Sequence, residues 1–295
     1  MSACNSDVIC ADHDYARGMV DVPYRALPAA RDDIRYEYGP DSCPRPGVSP
    51  GDIREFVVDD SSAFPGTVRH VWVHTAHGHD PAVPAAVMFF NDGWWYLDPH
   101  GDVRAGVVLD NLAAEGSLPP LIGVFVDPGV FPDSDEPKNR NVEYDAGGDR
   151  YAGFLLDEVL PRVANGVAIA EDPDLRGICG GSSGGNGAFT AAWQRIDGIR
   201  RVIAFNASFA QIPGGNPYPS LLAAGERRPL RVLLQAAHRD LGWNGPEMNW
   251  FAETLETAAA LTRASADVRL VVGDGAHSPN HGGVLLPDAL RWLWR

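Results

Sequence analysis

Gly180-Gly181-Ser182-Ser183-Gly184-Gly185 joins two stretches of opposite character. Before it, Leu175-Arg176-Gly177-Ile178-Cys179 is short and partly apolar, as a buried strand would be. After it, Asn186-Gly187-Ala188-Phe189-Thr190-Ala191-Ala192-Trp193 reads as a helix. Strand, glycine-rich turn, serine and helix together predict a nucleophile elbow, a turn so tight that the side chains flanking the serine must be tiny. The turn also sets the serine at the positive end of the helix, where backbone N–H groups can meet a developing oxyanion. Two frames fit, Gly180-x-Ser182-x-Gly184 and Gly181-x-Ser183-x-Gly185. Ser182 is the favoured nucleophile, because Gly184 and Gly185 then fall in the first helical turn and let the helix approach the neighbouring strand. Ser183 would supply an oxyanion N–H. A phosphate-binding loop is excluded, since it needs Gly-Lys-Ser/Thr and the only lysine in the chain is Lys138.

Outward from the elbow the pattern is regular. Residues 53–58 and 68–73 have the alternating or β-branched character of paired antiparallel strands. Residues 85–90 and 121–126 are continuous apolar runs, as expected of strands buried on both faces. Residues 103–115 and 151–164 read as helices between strands. Beyond the elbow, strands are predicted at 201–205, 230–234 and 268–272, and helices at 250–263 and 288–294. Antiparallel strands followed by alternating strands and helices describe a mostly parallel central sheet covered by helices on both faces. Residues 1–50 are polar, rich in proline and without clear periodicity, and form an N-terminal arm or tail; residues 51–295 make one domain.

The bulk numbers narrow the function. A chain of 295 residues with 45% hydrophobic content can bury a large core. No apolar run reaches the length of a membrane span, and the N-terminus has no basic region followed by an apolar stretch, so a cytoplasmic protein is expected. Four cysteines without CxxC spacing fit free thiols, although pairing among Cys4, Cys10 and Cys43 stays open. A net charge of −15 argues against nucleic acid or an anionic membrane as partner. With one lysine, in a polar loop, a Ser-Lys dyad is excluded and a serine nucleophile needs a histidine base.

In a sheet of this type reactive groups gather at the C-terminal ends of the strands. Gln235-Ala236-Ala237-His238-Arg239-Asp240 follows one strand, and Gly273-Asp274-Gly275-Ala276-His277 follows the last. The order Ser182, Asp240, His277 is that of α/β-hydrolases. His281 is the rival base and Asp274 the rival acid; His277 is preferred for lying closer to its strand end. Asn91-Asp92-Gly93-Trp94 follows the run 87–90, where the loop giving a second oxyanion donor belongs. The N–H of Trp94 is the candidate donor, with Asp92 and Gly93 against the substrate. Of the aromatic residues Trp94, Trp95, Tyr96, Trp243 and Trp250, proximity to the site loops favours Trp94 and Trp243 as pocket walls. His74-x-x-His77-x-His79 has the look of a metal cluster, but it leaves an edge strand into a loop and no second ligand group stands at a recognised spacing, so no metal is expected.

Three of these segments, 180–185, 91–94 and 273–278, resemble the putative esterase family, which includes the enterochelin esterases. Arg140 with Glu143-Tyr144, the segment 154–161 and the ending 282–292 carry the resemblance further, over about residues 50–295. It implies an α/β-hydrolase fold, no cofactor, and a triad falling on Ser182, His277 and Asp240. The expected activity is that of a serine esterase acting on a small-molecule ester, alone or as a homodimer, with an acyltransferase or lactonase using the same triad as the alternative. The acidic composition is a poor match for an acidic chelate as substrate, which a siderophore esterase would hold with basic residues.

Overall fold

The computed structural model describes residues 34–295. Among these, eight strands form one sheet: β1 (Asp52–Val58), β2 (Arg69–Thr75), β3 (Ala86–Asn91), β4 (Leu121–Val126), β5 (Arg176–Gly181), β6 (Arg201–Phe205), β7 (Arg231–Ala237) and β8 (Asp267–Gly273). Their order is β1-β2-β4-β3-β5-β6-β7-β8. β1 with β2 and β2 with β4 are antiparallel, and every other neighbouring pair is parallel. The helices are α1 (Gly93–Leu97), α2 (Ala105–Glu115), α3 (Arg140–Tyr144), α4 (Arg150–Gly153), α5 (Leu160–Val163), α6 (Ser183–Gln194), α7 (Tyr218–Ala223), α8 (Trp250–Arg263) and α9 (Pro279–Trp294). The chain has the α/β-hydrolase fold.

Strand periodicity sorts the core into two layers. Along β3, Val87 and Phe89 pack with Phe189 and Trp193 of α6 and with Leu261 of α8. Met88 and Phe90 point to the opposite face, with Leu109 and Leu112 of α2 and Leu286, Leu290 and Leu293 of α9. The chain leaves β3 for β4 on one side and returns to β5 on the other. That reversal opens a crevice at the C-terminal ends of β3 and β5, where the loops beginning at Asp92 and Ser182 lie.

Two predicted helices differ from expectation. Residues 150–163 are helical, but α4 and α5 flank a π-helical turn over Phe154–Val159. The last helix begins at Pro279, not near 288, and carries Pro287 in its interior. Ser278 caps it, its Oγ accepting from Asn280 N at 3.2 Å, and Pro279 takes the first turn, where its missing N–H costs nothing. Burial of Leu286, Leu290 and Leu293 holds the helix together through Pro287.

Residues 34–50 lie on the body of the fold. Asn111 Nδ2 donates to the carbonyls of Asp41 and Cys43 (2.8 and 2.9 Å), and Tyr38 Oη donates to that of Asp102 at 2.9 Å. Cys43 and Cys179 are free thiols; Cys4 and Cys10 lie outside the described residues. Among these no helix is long and apolar enough to cross a membrane.

A buried ion pair fixes the long segment between β4 and α3. Arg69 on β2 meets Glu143 twice, Nη1 to Oε2 at 2.5 Å and Nη2 to Oε1 at 3.0 Å. Gly129 N and Asn139 Nδ2 also donate to Oε1 (3.1 and 2.9 Å), and the guanidinium lies 4.2 Å from the centre of the Phe154 ring. Removing one partner leaves an uncompensated buried charge. Glu143→Ala is therefore expected to lower the unfolding free energy by about 3–5 kcal/mol, read from the urea midpoint.

Candidate active site

The chain leaves β5 through Ser182, whose φ of 60° and ψ of −129° lie in a sparsely populated region for a residue with a side chain. Four backbone hydrogen bonds hold it there. Its N–H donates to Phe205 O on β6 at 2.9 Å, and its carbonyl accepts from Gly185, Asn186 and Ser208 N at 3.0, 3.1 and 3.1 Å. A methyl group on Gly180 would strike the Gly184 carbonyl, so the turn closes only over glycine. Ser183 has passed into α6; it is buried, and its Oγ accepts from Asn141 Nδ2 at 2.9 Å. The two frames open in the sequence are thus physically distinct, and only Ser182 has the strained geometry of an elbow.

His277 stands in the loop between β8 and α9. Its Nδ1 is 2.6 Å from Oδ1 of Asp240, whose side chain is 2% exposed and also accepts from Leu241 N at 2.8 Å. The Trp250 ring meets the imidazole edge-on with centroids 4.9 Å apart. A carboxylate on Nδ1 favours the tautomer with its proton there and leaves the Nε2 lone pair free. Ser182 and His277 line one cavity of about 340 Å³, walled by Trp95, Tyr96, Phe205 and Pro279. Its polar members include Asp92, Arg140 and Asn206. Arg140 binds Asp92 through Nε and Nη2 (2.6 and 2.8 Å), and Nη2 reaches the Gly181 carbonyl at 3.3 Å. Burial pulls the Arg140 pKa down, but the bonds and charge of Asp92 outweigh it, so the guanidinium stays protonated. Burial pushes the Tyr96 hydroxyl well above its ordinary pKa and keeps it neutral.

The profile of one family, described as Putative esterase, matches residues 61–268. The chain belongs to that family. Solved structures of similar fold include the enterobactin esterase from Shigella flexneri crystallised in the presence of enterobactin, at 20% identity and a TM-score of 0.70, covering 86% of this chain and 61% of that one. A ferulic acid esterase follows at 17% identity and 0.65, covering 84% and 99%. A variant of the feruloyl esterase module from Clostridium thermocellum, complexed with sinapinate, matches at 14% and 0.63, covering 89% and 94%. The chain thus spans about three fifths of the length of the enterobactin esterase.

Within this esterase fold several expected contacts are replaced by others. The Trp94 N–H is not a free oxyanion donor: it donates to Asp127 Oδ1 at 3.0 Å. Burial raises the Asp127 pKa, and this bond partly offsets the rise. The Trp94 ring turns to Trp72, 5.7 Å between centroids, while Trp95, about 100° further round α1, lines the cavity. Gly93 is not among the residues that line the cavity. A Cβ there would lie 2.7 Å from Phe125 C and Val126 N, so the glycine lets α1 dock on β4. Asp92, with φ of 56°, does line the cavity, tied to Arg140.

Trp243 is 45% exposed and is not among the lining residues; its ring packs under the Arg239 guanidinium at 4.9 Å. The turn closed by Trp243 N on Asp240 O directs it outward, and Trp250 at the start of α8 takes the place beside His277. The rival base His281 is buried in α9, where Nδ1 accepts from Gln235 Nε2 at 3.1 Å. The rival acid Asp274 pairs with His238 Nδ1 at 3.4 Å. His74 Nε2 is 2.9 Å from Asp110 Oδ1, and among the described residues no three His, Cys, Asp or Glu side chains converge to hold a metal ion. Asn206 was missed. It directly follows β6, and the strand-end rule that selected Asp240 and His277 points to it equally.

Burial lowers the His281 pKa from 6.5 to about 4. The unfolded chain then binds the extra proton first, so stability is lost as the pH falls from about 6.5 towards about 4. His281→Gln is expected to flatten that acid limb, measured as Tm against pH for both proteins.

Proposed function

We propose that the protein is a serine esterase in which Ser182 attacks the ester carbonyl and His277 Nε2 takes its proton. Asp240 holds the imidazole in the required tautomer and stabilises the imidazolium as it forms. The protonated histidine then delivers the proton to the leaving alcohol. Water, activated by the same histidine, releases the acid from the acyl-enzyme. The Ser183 N–H, in the first turn of α6, faces the developing oxyanion, a donor worth about 3–4 kcal/mol in the transition state. The observation that carries this reading is the conjunction of the strained serine with a histidine, bonded to a buried carboxylate, on one cavity.

An aromatic carboxylic ester is the substrate class that the cavity favours. Trp95, Tyr96 and Phe205 line the cavity and give a flat acyl group aromatic surface to pack on, and two solved neighbours are by name ferulic acid and feruloyl esterases. The Arg140 cation is already matched by Asp92, and the chain carries a net charge of −15, which disfavours a polyanionic chelate.

Ser182→Ala is expected to abolish both p-nitrophenyl ester turnover and labelling by a fluorophosphonate, while Ser183→Ala keeps the label. Persistent labelling of Ser182→Ala would discard the assignment. Asp240→Asn is expected to lower kcat by roughly 10³–10⁴-fold, because the wrong tautomer then faces the serine. Product analysis with and without acceptor alcohols separates hydrolysis from acyl transfer.

A further inference from the structure

The loop bearing His277 is gripped from outside the sheet by one residue of the N-terminal segment. Tyr36 Oη donates to the Asp274 carbonyl at 3.0 Å, before the histidine. Tyr36 N donates to Asn280 Oδ1 at 2.6 Å, and Asn280 Nδ2 donates back to Tyr36 O at 3.2 Å, after the histidine. The Tyr36 ring stacks on His281, with centroids 4.1 Å apart and planes at 11°. The loop is therefore bracketed at both ends, with His277 between the brackets.

The ring edge of His281 continues the chain of contacts to the cavity. Gln235 Nε2 donates to His281 Nδ1 at 3.1 Å and to Asn206 Oδ1 at 3.2 Å. Asn206 Nδ2 donates to the carbonyl of Ser278, the residue next to His277, at 3.1 Å. There is no slack in this packing: a Cβ on Gly273 would collide with His281 and come within 2.8 Å of Tyr36 Oη. Tyr36 lies outside the residues that match the family.

We propose that Tyr36 is a positioning residue for His277, setting the height of the imidazole over Ser182 by clamping residues 274 to 281. The proposal rests on His277 being the base. A loop released by even about 1 Å carries the base out of line and slows the chemical step about 10²-fold, with binding little changed.

The test compares wild type with Tyr36→Ala, Tyr36→Phe, Asn280→Ala and His277→Ala on one aryl ester. Tyr36→Ala should lower kcat by roughly 10–100-fold while KM stays within about 3-fold. Tyr36→Phe keeps the ring stack and the backbone clamp, and should recover most of kcat. Should Tyr36→Ala fail to fold, Asn280→Ala carries the same expectation, since it removes both backbone bonds. An inactive His277→Ala beside a Tyr36→Ala, or in its stead an Asn280→Ala, with wild-type kcat overturns the clamp alone. A change in KM with kcat intact does so too, since it marks a contact to substrate. An active His277→Ala overturns the reading of the base, and the clamp with it.

Discussion

Ser182 is held in a backbone conformation that it would not adopt alone, and most of the surrounding structure serves to hold it. A positive φ with ψ near −129° costs about 1–3 kcal/mol for such a residue. Four backbone hydrogen bonds, each contributing about 0.5–1.5 kcal/mol net, offset it. They come from β6, from the first turn of α6 and from Ser208, so the strain is distributed over three elements. Behind them Asp145 acts as a buried hub. Its carboxylate accepts from Ser208 Oγ at 2.6 Å, from Asn186 Nδ2 at 3.1 Å and from Asn141 Nδ2 at 2.9 Å. Asn141 in turn reaches Ser183. Movement at the elbow would break a network that extends into α3.

Three buried carboxylates stand in pairs. Asp92 with Arg140, Asp240 with His277 and Glu143 with Arg69 each place an acid against a nitrogen donor, and no carboxylate in these pairs is more than 8% exposed. The cavity itself sets the Asp92–Arg140 pair among polar side chains and the rings of Trp95, Tyr96 and Phe205.

Long-range order in the sheet was legible because period and composition encode it. The runs 85–90 and 121–126 could only be strands buried on both faces, and each strand ending in a glycine, aspartate or histidine loop marked the working edge. That rule singled out Asp240 and His277, which the fold brings to within 2.6 Å of each other. The contacts of single side chains were not legible. Trp94 and Trp95 are adjacent in sequence and equally aromatic, but the helix rotates one towards Trp72 and the other into the cavity. Trp243 and Trp250 exchange roles for a similar reason, one on an outward turn and one at a helix start. The last helix begins nine residues before the predicted 288, because burial along one face outweighs the backbone hydrogen bond lost at Pro287.

By itself the amino-acid order determined the strand and helix sequence, the class of sheet and the elbow at 180–185, because each depends on local steric limits and on apolar periodicity. It determined as well that the base for a serine had to be a histidine, the chain having one lysine. Only the tertiary structure separated the surroundings of Ser182 from those of Ser183, of His277 from those of His281, and of Asp240 from those of Asp274. It also bound Tyr36 to a loop more than two hundred residues away. Those differences turn on directions and distances of a few ångströms between segments remote in the chain, and these exist only after the sheet has closed.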